Sequence, residues 1–335
     1  MADKTDVVLI GVPKKLIVDA LSGPFNLHVI PKDNAEASIA KAGPNVRAAA
    51  VTGAPDKMMG DVMARFPKLE FVSSFGVGYD NIDIKYSVEH GIVVCNTPEV
   101  LNEEVADTAL GLLLCTVRVF PQASNFLRAG KWLQGQYPLS KATLRDRTVG
   151  IAGMGRIGQA IARRLEGFGV PVVYHSRNPQ AGVSHKHYPK MIDMAHDVDT
   201  LIVIMPGGPS TKHLVNAEVL DALGRRGIVI NMSRGPVVDD AALIKALKER
   251  TIYAAGLDVV VNEAEVPAAY LDLDNVTLFP HPGSSSVYTR QKMEQLVVDN
   301  LLAWQAGKPP ITPVPETPWP SKTASDRLNE YFNRG

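Results

Sequence analysis

The chain has 335 residues, 45% of them hydrophobic, and its 35 Lys plus Arg balance its 35 Asp plus Glu. That length suits about two domains with full cores, and a formal charge of zero excludes broad attraction to nucleic acid or an anionic membrane, so any anion site must be local. The opening MADKTDVVLIG sets acids beside its only lysine and runs into a strand-length apolar stretch, unlike a secretory signal. No run approaches the roughly 20 apolar residues of a membrane span. The expectation is a soluble, cytoplasmic protein. Cys95 and Cys115 stand in apolar surroundings and read as reduced, buried thiols rather than a disulfide.

Strand-like runs at 7–11, 27–30, 47–51, 69–74 and 92–96 form a first series. An apolar helix over 103–120 follows, long enough to connect two domains. A second series lies at 148–154, 171–176, 200–206, 227–233, 253–259 and 275–280. Several runs are continuously apolar rather than alternating, which fits parallel strands covered by helices on both faces. Strands alternating with helices predict an α/β fold with two doubly wound parallel sheets. A late helix over 287–307 ends at Gly307 before Pro309 and Pro310. If it returns to the first sheet, the first domain is discontinuous: 1–100 with 288–312, enclosing a second domain at 101–287. The remainder, 313–335, reads as a Pro-rich C-terminal tail, extended on the surface or partly disordered.

The strongest motif is TVGIAGMGRIGQAIARRLEGFGVPVVYHSRNP, with Gly153, Gly155 and Gly158 in G-x-G-x-x-G spacing between an apolar strand and an amphipathic helix. Gly153 permits the tight turn, Gly155 lets the backbone approach a pyrophosphate, and Gly158 allows close helix–strand packing. The helix N-terminus beyond offers N–H groups and a positive dipole end to phosphates. The next strand ends His175, Ser176, Arg177, Asn178, with no carboxylate for a ribose 2′-hydroxyl. Arg177 suits a 2′-phosphate, with Ser176 and Asn178 as neutral partners, so NADP(H) is preferred and NAD(H) remains possible. His175, His185 and His187 cluster in sequence, but no Cys, Asp or Glu completes a ligand set, so they read as a solvated loop and no metal is expected.

Three ionisable residues stand at or beyond the C-terminal ends of late strands, where open α/β sheets hold ligands. They are Arg234 after GIVINMS, Glu263 after YAAGLDV and His281 after NVTLFP. Together with FGVGYDNID (75–83), VCNTPEVLNEEVADTALGLLL (94–114), GMGRIG, NMSRGPVVDDAALIKAL, AAGLDV and FPHPGSSS, these segments resemble the D-isomer-specific 2-hydroxyacid dehydrogenase family from about residue 5 to about 312. Within it the chain looks most like the NADPH-using glyoxylate and hydroxypyruvate reductases. NEAEVP (262–267) departs from the family, which often has Glu followed directly by Pro; counted from Asp258, the family's acid falls at Glu263 rather than Glu265.

The resemblance implies a Rossmann cofactor domain and a flavodoxin-like substrate domain with the active site in the cleft between them. It implies an enzyme in which His281 gives a proton to the substrate's keto oxygen, Glu263 orients the imidazole and raises its pKa, and Arg234 holds the substrate carboxylate. Gly76, Val77 and Gly78 resemble a second carboxylate clamp made of backbone N–H groups. Val100, Leu101 and Ser284 are expected to shape the substrate pocket. Asp258 resembles the residue that fixes the nicotinamide carboxamide. The family's cofactor contacts fall on Thr108, Arg156, Ile157, Met205, Pro206, Thr211, Met232, Ser233 and Gly283. A homodimer through the cofactor domains is implied, and Trp132 serves either a partner's active site or local packing. The expected activity is reduction of glyoxylate, hydroxypyruvate or a similar small 2-keto acid to the D-2-hydroxy acid. An aromatic-pyruvate reductase and a dinucleotide-sensing corepressor on the same fold are the alternatives.

Overall fold

The structure, a computed structural model, describes residues 4–31, 33, 35–53 and 57–320. The chain divides into two units, one made of 1–100 with 287–335 and the other of 101–286.

The first unit holds β1 (Asp6–Ile10), β2 (Asn26–Ile30), β3 (Val46–Val51), β4 (Phe71–Ser74) and β5 (Val93–Cys95), all parallel, in the order β2-β1-β3-β4-β5. Continuous apolar strands imply two covered faces, and both faces carry a core. Val8, Ala49, Val51, Val72 and Val94 pack on one side, and Val7, Leu9, Ala48, Ala50 and Phe71 on the other. The helix Val287–Gln305 belongs to this second layer. Its Val297, Leu301 and Trp304 enter the core, and Trp304 stacks on Phe71 at 5.5 Å. Ser73 Oγ donates to the carbonyl of Val297 at 3.2 Å. The unit is therefore assembled from two separate stretches of chain.

The segment beyond that helix is better anchored than a surface tail. Val314 is buried beside β5, donating its N–H to the Val94 carbonyl at 2.8 Å, and Trp319 packs against the same core as Phe71. These apolar residues among the prolines are what hold it. Residues 321–335 of the expected tail lie outside the described residues.

The second unit holds β6 (Val149–Ala152), β7 (Val172–His175), β8 (Lys186–Tyr188), β9 (Thr200–Val203), β10 (Ile228–Asn231), β11 (Ala254–Leu257) and β12 (Val276–Leu278). They form one parallel sheet in the order β12-β11-β10-β9-β6-β7-β8. The order reverses between β6 and β9, the switch point at which such sheets bind ligands beyond their strand ends. β8 corrects the reading of 185–187 as a loop: a three-residue polar edge strand has too little apolar character to announce itself in sequence.

The helix expected over 103–120 is two helices, Asn102–Arg118 and Phe120–Arg128, separated by Val119 at φ 50°. Pro121 accounts for the break, because proline fits the first turn of a helix and not its interior. The first helix lies so close to β11 that a Cβ on Gly256 would come within 2.4 Å of Thr116 Oγ1. Among the described residues no single helix is long and apolar enough to cross a membrane. Cys95 is a buried free thiol and Cys115 a half-buried one.

Candidate active site

In the second unit the glycine-bearing turn follows β6. Gly153 has φ 107°, and its N–H donates to the His175 carbonyl at 2.9 Å. A side chain there would press into the Ile204 carbonyl at 2.4 Å. Gly158 is tighter still, since an added Cβ would fall 2.1 Å from the Gly153 carbonyl oxygen. A Cβ on Gly155 would meet open space, so the room beside that backbone is left for something other than protein. Arg156 and Ile157 open the amphipathic helix Arg156–Gly167, which buries Gly158, Ala160, Ile161, Ala162 and Leu165 and points its N-terminal N–H groups at the turn.

At the end of β7 the backbone is pinned from β8. His175 Nδ1 bonds the Tyr188 carbonyl and His187 Nε2 the Ser176 carbonyl, both at 2.9 Å. Ser176 Oγ donates to the Asn178 carbonyl at 2.6 Å. Arg177 and Asn178 are exposed, and the Arg177 guanidinium makes no hydrogen bond or ion pair among the described residues. His185 pairs instead with Glu166 at 3.2 Å.

Beyond the late strands the ionisable residues gather. His281 sits three residues after β12 at φ 55°, a conformation unusual for a residue with a Cβ, and its N–H donates to the Asp258 carbonyl at 3.0 Å. Its Nδ1 lies 3.0 Å from the Glu263 carboxylate, and both side chains are half-exposed. With Nδ1 committed to that carboxylate, Nε2 is the nitrogen left to face a ligand. The hydrogen bond from His281 holds the Glu263 carboxyl below the usual carboxylate range, with further help from the charges of His281 and Arg234. Glu265 forms no such bond among the described residues; its N–H turns back to the Asn262 carbonyl.

Asp258 closes β11. It is buried, its Oδ1 has no partner among the described residues, and its carboxyl is pushed up to about 6. Burial dominates; the His281 charge opposes it and the Glu263 charge adds to it. Gly283 packs against the same carboxylate, since a Cβ there would stand 3.0 Å from Oδ2 and 3.7 Å from Met232 Cε. Thr108 Oγ1 meets the Gly283 carbonyl at 3.3 Å. Ser284 follows, half-buried.

Sequence reasoning missed the residues that seat Arg234. A Cβ on Gly207 would lie 2.7 Å from Arg234 Cγ, and one on Gly235 would strike the Val260–Val261 backbone at 2.1–2.3 Å. The Asn231 amide accepts from the Ser233 N–H at 3.1 Å and donates to the Arg234 carbonyl at 3.3 Å. Ser233 Oγ bonds the Met205 carbonyl, and Thr211 Oγ1 the Pro206 carbonyl at 2.8 Å. The Pro206-Gly207-Gly208 run shortly beyond β9 was the available signal.

In the first unit, Gly76 after β4 has φ 154°. Its N–H donates to Thr97 Oγ1 at 2.9 Å, the Thr97 N–H donates to its carbonyl at 2.8 Å, and Asn96 Nδ2 holds the Val77 carbonyl at 2.8 Å. The N–H groups of Val77 and Gly78 have no hydrogen-bond partner among the described residues. Held carbonyls with unsatisfied N–H groups make an anion-binding concavity.

A parallel sheet with a glycine turn at its switch point, and an Arg, Glu and His set at its strand ends, defines a dinucleotide-dependent oxidoreductase. Comparison with known proteins gives the family. Residues 110–283 match the D-isomer specific 2-hydroxyacid dehydrogenase, NAD binding domain. The chain is 46% identical to glyoxylate/hydroxypyruvate reductase A of Arabidopsis thaliana, over 79% of this chain and 83% of that one. It is 44% identical to hydroxyphenylpyruvate reductase of Plectranthus scutellarioides, over 76% and 81%. Among solved structures, the NADPH-dependent glyoxylate/hydroxypyruvate reductase of Sinorhizobium meliloti in complex with NADP and malonate superposes with a TM-score of 0.90 at 49% identity, over 94% of this chain and 98% of that one. The chain belongs to the D-isomer specific 2-hydroxyacid dehydrogenase family and is an enzyme of that family.

Proposed function

We propose that this enzyme reduces glyoxylate, hydroxypyruvate or a closely similar 2-keto acid to the D-2-hydroxy acid with NADPH. The observation that carries the reading is the His281–Glu263 hydrogen bond beside Arg234, on the sheet whose switch point bears the glycine turn. The residues present fit the cofactor. The open space beside Gly155 in the turn at 153–158 suits a pyrophosphate, and the family resemblance assigns Thr108, Met205, Pro206, Thr211, Met232, Ser233 and Gly283 as further contacts. Arg177, Ser176 and Asn178 would take the 2′-phosphate. The unpaired Asp258 Oδ1 is an acceptor for the carboxamide. Bound NADPH supplies a hydride to the carbonyl carbon.

The chain's own residues do the rest. The Arg234 guanidinium holds the substrate carboxylate and stabilises charge that develops on the keto oxygen. The Val77 and Gly78 amides are assigned to the carboxylate as well. His281 Nε2 gives its proton to the oxygen as hydride reaches the carbon, so alkoxide never accumulates. Glu263 keeps the imidazole turned by accepting from Nδ1. In this reading 1–100 with 288–312 contributes the Val77 and Gly78 amides to substrate binding, and 101–287 binds the cofactor and supplies Arg234, Glu263 and His281. The reading includes a cytoplasmic homodimer through the second unit. Exposed Phe120, Leu127, Trp132 and Leu133 support a covered face there, and Trp132, 65% exposed, suits a role toward a second copy better than local packing.

A panel of glyoxylate, hydroxypyruvate and hydroxyphenylpyruvate, each with NADPH and NADH, tests the reading. Faster kcat/KM on the aromatic substrate would transfer the assignment to a hydroxyphenylpyruvate reductase, which the 44% relative keeps in view. Arg177→Ala should raise KM for NADPH by about 10–100-fold, the range of one or two charged hydrogen bonds, and leave NADH nearly unchanged. Equal effects on both cofactors would remove Arg177 from the 2′-phosphate.

A further inference from the structure

In the first unit, two cations share one aromatic ring at the C-terminal edge of the parallel sheet. Lys14 ends the loop after β1, with its Nζ 4.5 Å from the Phe75 ring centroid. Arg290, on the helix Val287–Gln305, brings its Cζ to 5.3 Å from the same centroid. Phe75 directly follows β4 and directly precedes Gly76. Burial is the main force holding the Lys14 ammonium below its ordinary range; the Glu294 carboxylate opposes it and the Arg290 charge adds to it. Burial likewise lowers Arg290, against Glu294.

The Lys14 ammonium is half-buried and makes no hydrogen bond or ion pair among the described residues. An ammonium carries three donors and is strongly hydrated. Sheltering it over a ring face with no hydrogen-bond acceptor costs it hydration, and the Glu294 charge offsets more of that cost than the Arg290 charge adds. The ring face offsets part of this. An acceptor with negative charge would offset the rest.

We propose that Lys14 and Arg290 form a subsite for a second anionic group, a carboxylate or phosphate at the far end of a 2-keto acid whose first carboxylate lies on the Val77 and Gly78 amides. The proposal rests on the substrate reading given above. It makes the first unit a reader of the substrate's length and charge, with a preference for dianionic 2-keto acids over their neutral-tailed counterparts.

The test compares oxaloacetate, 2-oxoglutarate and the phosphate ester of hydroxypyruvate with glyoxylate, using NADPH and full-length wild type, Lys14→Gln and Lys14→Arg. In Lys14→Gln the kcat/KM ratio of dianion to glyoxylate should fall about tenfold, the scale of one charged hydrogen bond in a half-exposed site. Lys14→Arg should restore most of the ratio. The dianion that loses more tells carboxylate from phosphate. An unchanged ratio in Lys14→Gln, with glyoxylate still turned over, overturns the subsite and leaves the reductase reading intact. If wild type turns over no 2-keto acid, that reading fails instead. Calorimetry of malonate against acetate then decides the subsite by itself: tighter malonate binding that Lys14→Gln abolishes supports it, and equal binding of the two overturns it.

Discussion

The two units each carry a glycine-bearing turn after a parallel strand, and the turns work differently. The turn at 153–158 runs straight into a helix of 12 residues, so its N–H groups are backed by the helix dipole. The turn at 76–78 has no helix directly behind it; Thr97 and Asn96 hold its carbonyls and leave two N–H groups over. The first arrangement suits a doubly charged diphosphate. The second suits a single carboxylate, set by side chains rather than by a dipole. Tight backbone packing defends the first turn, and a hydroxyl and an amide maintain the second.

That contrast can be broken most sharply at Gly158. Gly158→Val places a side chain on the Gly153 carbonyl and should abolish NADPH binding, or folding of the second unit, altogether. Calorimetric titration with a circular-dichroism control separates the two, and wild-type cofactor affinity would show that the turn tolerates a side chain. His281→Ala belongs to neither turn and should lower kcat by about 10²–10⁴-fold with the cofactor dissociation constant unchanged; near-normal turnover excludes it as proton donor. Thr97→Val removes the hydroxyl that fixes Gly76 and should raise KM for the keto acid by about tenfold, leaving NADPH affinity alone. A loss of NADPH affinity instead would mean the two turns are not separate binding devices.

The smallest effect concerns Asp258, whose carboxyl is raised to about 6 in the free enzyme. Between pH 4 and 6 the folded state then binds more protons than the unfolded one, so stability contributed here is present below the unfolded value of about 3.9 and is lost as pH rises through 6. Asp258→Asn should raise Tm by a few degrees at pH 7 and hardly at all at pH 4. An equal shift at both values would show that the buried charge is not responsible.

The strand series, the parallel sheets and the glycine turn were legible in sequence because each rests on local periodicity or spacing. Arg234, Glu263 and His281 were legible as residues after late strands, and the structure brings Glu263 onto His281 and puts the Arg234 charge beside Glu263. Gly207 and Gly235 were not, because their constraint comes from backbone and side chains distant in sequence. β8 and the break at Val119 escaped for a different reason: one is short and polar, and the other depends on a single proline inside an otherwise helical pattern. The Val77 and Gly78 amides were legible through the family resemblance and the glycines flanking Val77; the parts played by Thr97 and Asn96 in holding that turn were not, because those side chains lie about 20 residues away in sequence.

The pairing of residues 312–317 with β5 settles how one flank of the first sheet ends. Pro313 faces Cys95 in an antiparallel bridge, Val314 and Thr317 satisfy Val94, and Thr312 accepts from the Asn96 N–H. Pro313 and Pro315 have no N–H to offer outward. The segment therefore caps the flank without presenting a fresh row of donors, and a foreign strand finds little ladder there to extend. Proline, usually counted as a breaker of sheets, here closes the edge of one.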